Sequence, residues 1–147
     1  MMPAMEEGTS RAALDPDHDE RFLSLRRALG VTSFGINQMI LRPGQRSRIH
    51  RHAHQEEVYL VLEGALTVAI EGDEVELGSG ELMRVAPSVR RQLINYGPER
   101  ALFVALGGAS EHDSRDAEAF HSWDDTTGAG PQDVPWPDDL PPADRRA

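Results

Sequence analysis

Residues 44–64, GQRSRIHRHAHQEEVYLVLEG, carry the strongest signal for both the fold and a site. His50 and His52 are two positions apart, so on a β-strand both imidazoles project from the same face. Glu57 opens the apolar run that follows, which predicts a second strand, and a turn at residues 53–56 folds it back beside the first. Two imidazoles and one carboxylate then converge, and this ligand set suits a borderline divalent metal ion.

The spacing of five residues in this stretch resembles the first motif of the cupin family. They are two glycines, two histidines and one glutamate: Gly44, His50, His52, Glu57 and Gly64. The resemblance covers roughly residues 31–107 and implies an all-β fold, a double-stranded β-helix or jelly-roll barrel. It also implies that the two histidines and the glutamate bind a divalent ion such as Zn, Ni, Mn or Fe at an interior site.

A second cupin motif is expected one hairpin later, and residues 80–95 fit its spacing. Three residues depart from the family pattern: Ala86 replaces the usual proline, Ser88 the usual glycine, and Arg91 the third metal-binding histidine. An arginine keeps its positive charge and has no lone pair to donate to a metal ion. The resemblance therefore supports the fold more strongly than it supports the metal.

Two positions for the Arg91 side chain remain open at this point. It either turns away, so that water completes the metal site, or it pairs bidentately with Glu57 in a metal-free pocket. In the second case Arg91 could also bind an anionic ligand. Arg48 shares the strand parity of His50 and is the other candidate ligand-binding residue.

The hydrophobic pattern predicts the same fold without reference to the family. About eight short apolar runs, separated by turn signals such as Gly72-Asp73, lie between residues 31 and 107, and no long helix is predicted. This pattern is typical of an antiparallel sandwich or barrel. Residues 21–30 are compatible with a short helix that ends at Gly30 or with an edge strand.

Composition divides the chain into a barrel, residues 21–110, and two acidic tails, residues 1–20 and 111–147. The net charge of -10 comes from the tails, which carry six acidic residues against one arginine and ten against three. Half of the ten prolines lie in the C-terminal part. We expect both tails to be disordered or loosely packed. Residues 117–120 could form one helical turn, and Phe120, Trp123 and Trp136 are the features expected to be anchored.

Several classes of function are excluded or disfavoured. The chain has no cysteine, which excludes disulfides, thiol chemistry and cysteine-based zinc sites. No secretion signal is recognisable, and no apolar run approaches the ~18 residues of a membrane span. We therefore expect a cytoplasmic protein without a membrane partner. A near-neutral body with acidic ends argues against nucleic-acid binding.

Three functions remain compatible with these residues. The first is a small-molecule-binding protein with an interior His50, His52 and Glu57 site, which holds a divalent metal weakly. The second is a metal-dependent enzyme of the dioxygenase or isomerase class, and the third is a metal-free structural or regulatory module. The resemblance also implies a homodimer.

Overall fold

The computed structural model describes residues 7–108 and 116–146, which form two five-stranded antiparallel sheets. The strand order is β1-β2-β9-β4-β7 in the first sheet and β10-β3-β8-β5-β6 in the second. The strands are β1 (Phe22–Ser24), β2 (Phe34–Leu41), β3 (Ile49–His52), β4 (Glu56–Glu63), β5 (Leu66–Ile70), β6 (Asp73–Leu77), β7 (Leu82–Val85), β8 (Arg91–Ile94), β9 (Ala101–Gly108) and β10 (Ala117–Phe120). The predicted all-β, double-stranded β-helix fold is confirmed.

The core lies between the two sheets. Five of its larger side chains have no exposed surface: Leu41, Val61, Leu66, Val68 and Phe103. Burying each aliphatic or aromatic side chain of this size contributes about 1.5–3 kcal/mol. Side chains two positions apart on β4 share a face, so Glu57 points in the same direction as the buried Tyr59 and Val61. A carboxylate is thereby placed at one end of an apolar interior.

Two motif glycines are required by the backbone. Gly44 and Gly64 have φ angles of 87° and 75°, in the left-handed region that disfavours side chains. A Cβ atom at Gly64 would also collide with the carbonyl oxygen of Arg100. Gly44 therefore allows the turn before β3, and Gly64 allows the turn after β4.

Residues 21–30 contain both of the elements that the sequence left open. The edge strand β1 pairs with β2, and α1 (Leu25–Leu29) follows directly. The hydroxyl oxygen of Ser24 accepts a hydrogen bond from the backbone N–H of Arg27, and Gly30 ends the helix with φ 73°. Residues 21–30 therefore add an edge strand and a short helix to the first sheet.

The C-terminal segment, residues 116–146, differs from the expected loose tail. Residues 117–120 form β10, not a helical turn, and pair with β3 in the register Ala117↔His52 to Phe120↔Ile49. Val134 and Leu140 are 2% and 8% exposed. The physical reason is that a few widely spaced apolar side chains pack against the barrel, although the segment is rich in proline and acidic residues.

Part of the N-terminal segment also contacts the barrel. The backbone N–H and carbonyl of Asp15 form two hydrogen bonds of 2.7 Å with the side-chain amide of Gln38. Residues 1–6 of the predicted flexible segment lie outside the described residues, and the boundaries at residues 20 and 110 stay predictions. No helix in the described ranges is long and apolar enough to cross a membrane.

Candidate metal site and ligand cavity

The predicted metal ligands come from two strands in different sheets. β3 carries His50 and His52, and β4 carries Glu57. Nε2 of His52 lies 3.0 Å from Oε1 of Glu57, and Nε2 of His50 lies 3.6 Å from the same oxygen. One ligand atom from each residue can be chosen so that all three lie within 4.8 Å of one another. The structure therefore brings together the three residues that the spacing predicted, but the prediction that the second strand folds back beside the first is wrong, because β3 and β4 face each other from different sheets.

The hydrogen bonds of the two imidazoles fit a bound cation. Nδ1 of His50 lies 3.1 Å from the carbonyl oxygen of Arg48, which can only accept, so this nitrogen carries the proton and Nε2 offers its lone pair. Both ring nitrogens of His52 are buried and form no hydrogen bond within the described residues. An unsatisfied buried polar atom costs about 1–3 kcal/mol. A divalent ion at Nε2 of His52 would remove this cost, and the donor set is one that such ions accept.

Glu57 is held in its ionised form. Burial alone raises the pKa of Glu57, but the neighbouring imidazoles of His50 and His52 outweigh it, and the pKa lies well below the usual range. The hydroxyl of Tyr59 donates a 2.7 Å hydrogen bond to Oε1 of Glu57. Burial and the adjacent Glu57 carboxylate raise the pKa of Tyr59 well above its ordinary value, so this hydroxyl keeps its proton. The carboxylate is therefore charged and oriented before any ion arrives.

Asp116 supports the histidine strand from the C-terminal segment. Its carboxylate accepts hydrogen bonds from the backbone N–H groups of His54 at 3.0 Å and Gln55 at 2.8 Å, and Oδ2 lies 3.6 Å from Nδ1 of His52. Burial raises the pKa of Asp116, but these donors outweigh it and lower the pKa below the ordinary value. Asp116 thus holds the turn after β3 and faces the outer nitrogen of a metal ligand.

Sequence reasoning missed both of these supporting residues. Tyr59 could have been found, because it lies two positions after Glu57 on the same strand face. Asp116 is 62 positions from His54 and sits in an acidic segment where nothing distinguishes it from its neighbours. His54, the third histidine of the stretch, is exposed and contacts Asp116 instead of the ligand cluster.

Arg91 takes neither of the two predicted positions. It is fully buried, so it does not turn outward, and its Nε atom lies 4.0 Å from Oε1 of Glu57, too far for a bidentate bridge. Its guanidinium donates instead to the carbonyl oxygens of Ala86 at 2.9 Å and Pro87 at 3.5 Å. Because the carbonyl oxygens of the preceding turn are within reach, the arginine remains beside the site as a buried charge. It has no exposed surface through which to contact a ligand in this conformation.

A cavity of about 830 Å³ opens onto the three candidate metal ligands. Its lining also includes Arg48, the other candidate ligand-binding residue, and Trp136 of the C-terminal segment. The guanidinium carbons of Arg21 and Arg48 lie 4.7 and 4.3 Å from the centre of the Trp136 ring. Burial and the nearby positive charge of Arg21 lower the pKa of Arg48. The volume is typical of small-molecule sites, which span roughly 300–1,000 Å³.

The family comparison agrees with the geometry. The sequence model of the cupin-domain family matches residues 37–107, which contain β3 with its two histidines, Glu57 and Arg91. The chain belongs to the cupin superfamily. This cupin also resembles a crystal structure of a cupin protein from Bacteroides fragilis, with a TM-score of 0.64 over 72% of this chain and 87% of that one. At 22% sequence identity, that likeness shows the fold alone.

Two curated relatives are polyketide synthase proteins from Streptomyces. Polyketide synthase CurC of Streptomyces cyaneus is 33% identical over 86 residues, which cover 58% of this cupin and 56% of the relative. The tetracenomycin polyketide synthase protein TcmJ of Streptomyces glaucescens is 30% identical over 98 residues, covering 65% and 59%. The matches therefore span less than two thirds of either relative.

Proposed function

We propose that this cupin binds a small organic molecule in its cavity with the help of one divalent metal ion held by His50, His52 and Glu57. The observation that carries the proposal is the buried Nε2 atom of His52, which lies 3.0 Å from the Glu57 carboxylate without a hydrogen bond. All three ligands line the cavity. An ion bound there would face the space that a small molecule enters.

The residues of the chain have separable roles in this proposal. His50 is oriented by the Arg48 carbonyl, Glu57 by the Tyr59 hydroxyl, and the turn after His52 by Asp116. When bound, the ion would supply Lewis-acid coordination for an oxygen of the ligand. Three protein ligands leave coordination positions free for water or for that oxygen. The names of the Streptomyces relatives support a ligand from polyketide synthesis, a class rich in oxygen donors.

A metal-dependent enzyme of the dioxygenase or isomerase class is the second candidate. It is favoured by the position of the ligand atoms, which line an open cavity and are not sealed in the core. A metal-free module is favoured by the buried charge of Arg91, since it lies close to the site and repels a cation. Metal content and turnover distinguish the three possibilities.

The test is a calorimetric titration of chelator-treated full-length protein with Zn, Ni, Mn and Fe(II). We expect one ion per chain, and a loss of affinity of about 100-fold or more in His52→Ala and Glu57→Gln, because each removes one of three ligands. His121→Ala is the matched control, since His121 is exposed and lies away from the cavity. Absence of stoichiometric binding, or equal binding by His52→Ala, would reject the metal site.

The cytoplasmic location and the homodimer remain proposals of the same kind. Dimerisation is supported only by the family resemblance and by the exposed apolar side chain of Phe22 on the edge strand β1. Sedimentation equilibrium of the wild type and of Phe22→Ser would test it. A monomer at all concentrations would remove dimerisation from the proposal.

A further inference from the structure

Three arginines in the more exposed part of the cavity have no carboxylate partner. This arginine rim consists of Arg26 and Arg27 on α1 and of Arg48 just before β3. Among residues 7–108 and 116–146, no Asp or Glu side chain forms an ion pair with any of the three, whereas seven other arginines do pair. Positive charge is therefore concentrated at the cavity opening without internal neutralisation.

Acidic side chains of the lining do not cancel this charge. Glu20 and Glu57 are the carboxylates that line the cavity within the described chain, and Glu57 belongs to the metal site. Glu20 is exposed and forms no ion pair with the rim. Three arginines against two glutamates give the cavity lining a net positive charge, which favours the entry of an anion.

Arg48 is held in place by part of its guanidinium group, and its terminal N–H groups remain available to a ligand. Its Nε atom donates to the carbonyl oxygen of Val134, and its guanidinium lies over the Trp136 ring. Its terminal N–H groups form no hydrogen bond with any described residue. A planar guanidinium that is already fixed loses little side-chain entropy when it binds a two-oxygen acid group. The charge favours a carboxylate or phenolate over a neutral group, and the two-pronged geometry favours the carboxylate.

Large aromatic side chains surround the same opening. Phe22 and Trp136 line the cavity and are 48% and 39% exposed, so both offer apolar surface to a ligand. Further in, Met39 and Leu93 contribute an apolar wall. Flat aromatic ligands bury the most apolar area against such surfaces.

We propose that the ligand is an aromatic acid whose carboxylate or phenolate pairs with the arginine rim while its ring packs against Phe22 and Trp136. This assignment rests on the proposed use of the cavity as a ligand site, but it does not depend on the metal ion. A ligand with two or more fused aromatic rings fits the cavity volume of about 830 Å³.

Calorimetric titration of full-length protein with 2-naphthoate and its neutral analogue 2-naphthamide tests the assignment. Measurements after chelation isolate the arginines, because the carboxylate then has no metal ion to bind. We expect naphthoate to bind about tenfold or more tightly than the amide, as for a charge-assisted hydrogen bond, and the preference to weaken at high salt. Arg48→Gln or the double variant Arg26→Gln/Arg27→Gln should reduce this preference.

The ratio of the two affinities is the decisive readout, since a partly unfolded variant loses both ligands equally. Arg48→Lys should keep part of the preference, and Arg11→Gln is the control, because Arg11 is exposed and lies outside the cavity lining. Equal affinity for acid and amide, no saturable naphthoate binding at millimolar concentration, or an unchanged ratio in both rim variants would overturn the assignment. Failure to bind metal while the naphthoate preference persists would reject the metal site alone.

Discussion

The hydroxyl of Tyr59 donates a 2.7 Å hydrogen bond to Oε1 of Glu57, the oxygen that also faces both candidate histidine ligands. Tyr59 is 1% exposed, so its ring cannot reorient without disturbing the core. A buried tyrosine thus fixes the carboxylate from inside the barrel, while the histidines approach from the opposite sheet.

Tyr59→Phe should weaken divalent-metal binding by about tenfold, because the carboxylate loses the donor that orients it. The ring stays, so packing is kept, but the loss of a buried hydrogen bond to a carboxylate should destabilise the fold by about 1–3 kcal/mol. Metal titration and thermal unfolding of the same preparation check both statements. Unchanged affinity would show that the 2.7 Å hydrogen bond does not position Glu57 for the ion.

Asp116→Ala should affect both stability and metal binding. Backbone N–H groups of His54 and Gln55 would lose their acceptor, at a cost of about 1–3 kcal/mol. Because the turn after β3 would loosen, we also expect weaker metal binding. Asp116→Asn keeps one acceptor oxygen, so its stability and metal affinity should fall between those of the wild type and Asp116→Ala. Asp138→Asn is the control, because Asp138 lies exposed on the surface. Chemical denaturation and metal titration measure the effects; wild-type values for Asp116→Ala would contradict the role.

Arg91→His should strengthen metal binding, and the comparison with Arg91→Met separates the reasons. Both variants remove a buried positive charge 4.0 Å from the Glu57 carboxylate, but only histidine adds a nitrogen ligand suited to Zn, Ni or Fe(II), since the thioether of methionine is a soft donor. We expect the order histidine, then methionine, then wild type in affinity. Both variants should melt at lower temperature, since the carbonyl oxygens of Ala86 and Pro87 lose their donor. Equal affinities in all three proteins would show that Arg91 has no influence on the ion.

Leu140→Ala should destabilise the protein by about 2–5 kcal/mol if the C-terminal segment packs as described. Leu140 is 8% exposed and packs with Ile94, a buried residue of β8. Leu14→Ala is the matched control, because Leu14 is 41% exposed and should cost little. Denaturant unfolding gives both values. Similar small effects for the two variants would indicate that residues 131–146 are loosely attached.

Alkaline unfolding should report on Tyr96. Its hydroxyl donates to the Glu74 carboxylate, with Oε2 at 2.7 Å, and burial together with that carboxylate raises the pKa of Tyr96 to about 12. A raised pKa in the folded chain means that the neutral phenol stabilises the fold below the unfolded value of about 10. This contribution is lost as the pH rises from about 10 through 12. The difference in unfolding free energy between wild type and Tyr96→Phe should therefore shrink over that interval; a constant difference would contradict it.

The accuracy of the sequence-based predictions depended on distance along the chain. His50, His52 and Glu57 were predictable as a group because they lie within eight positions and the two histidines share a strand face, although β3 and β4 belong to different sheets and do not form the expected pair of neighbouring strands. The position of Arg91 beside them followed from the family spacing, but its contacts did not, since they depend on which carbonyl oxygens the turn at Ala86 and Pro87 presents. Asp116 carried no local signal, because its partners lie on other elements. Trp136 was expected to be anchored, but its place in the cavity lining and its contact with Arg48 were not predictable for the same reason.

β10 has a consequence for the strand that carries the histidines. β3 is matched with β10 at four positions but with β8 at one, His50↔Arg91. Without residues 117–120, one side of β3 would present unpaired backbone N–H and carbonyl groups to solvent. Such a strand recruits other chains as partners. The C-terminal segment, which composition predicts to be a loose tail, would thus also protect the protein from self-association through β3, the strand that carries two of the candidate metal ligands.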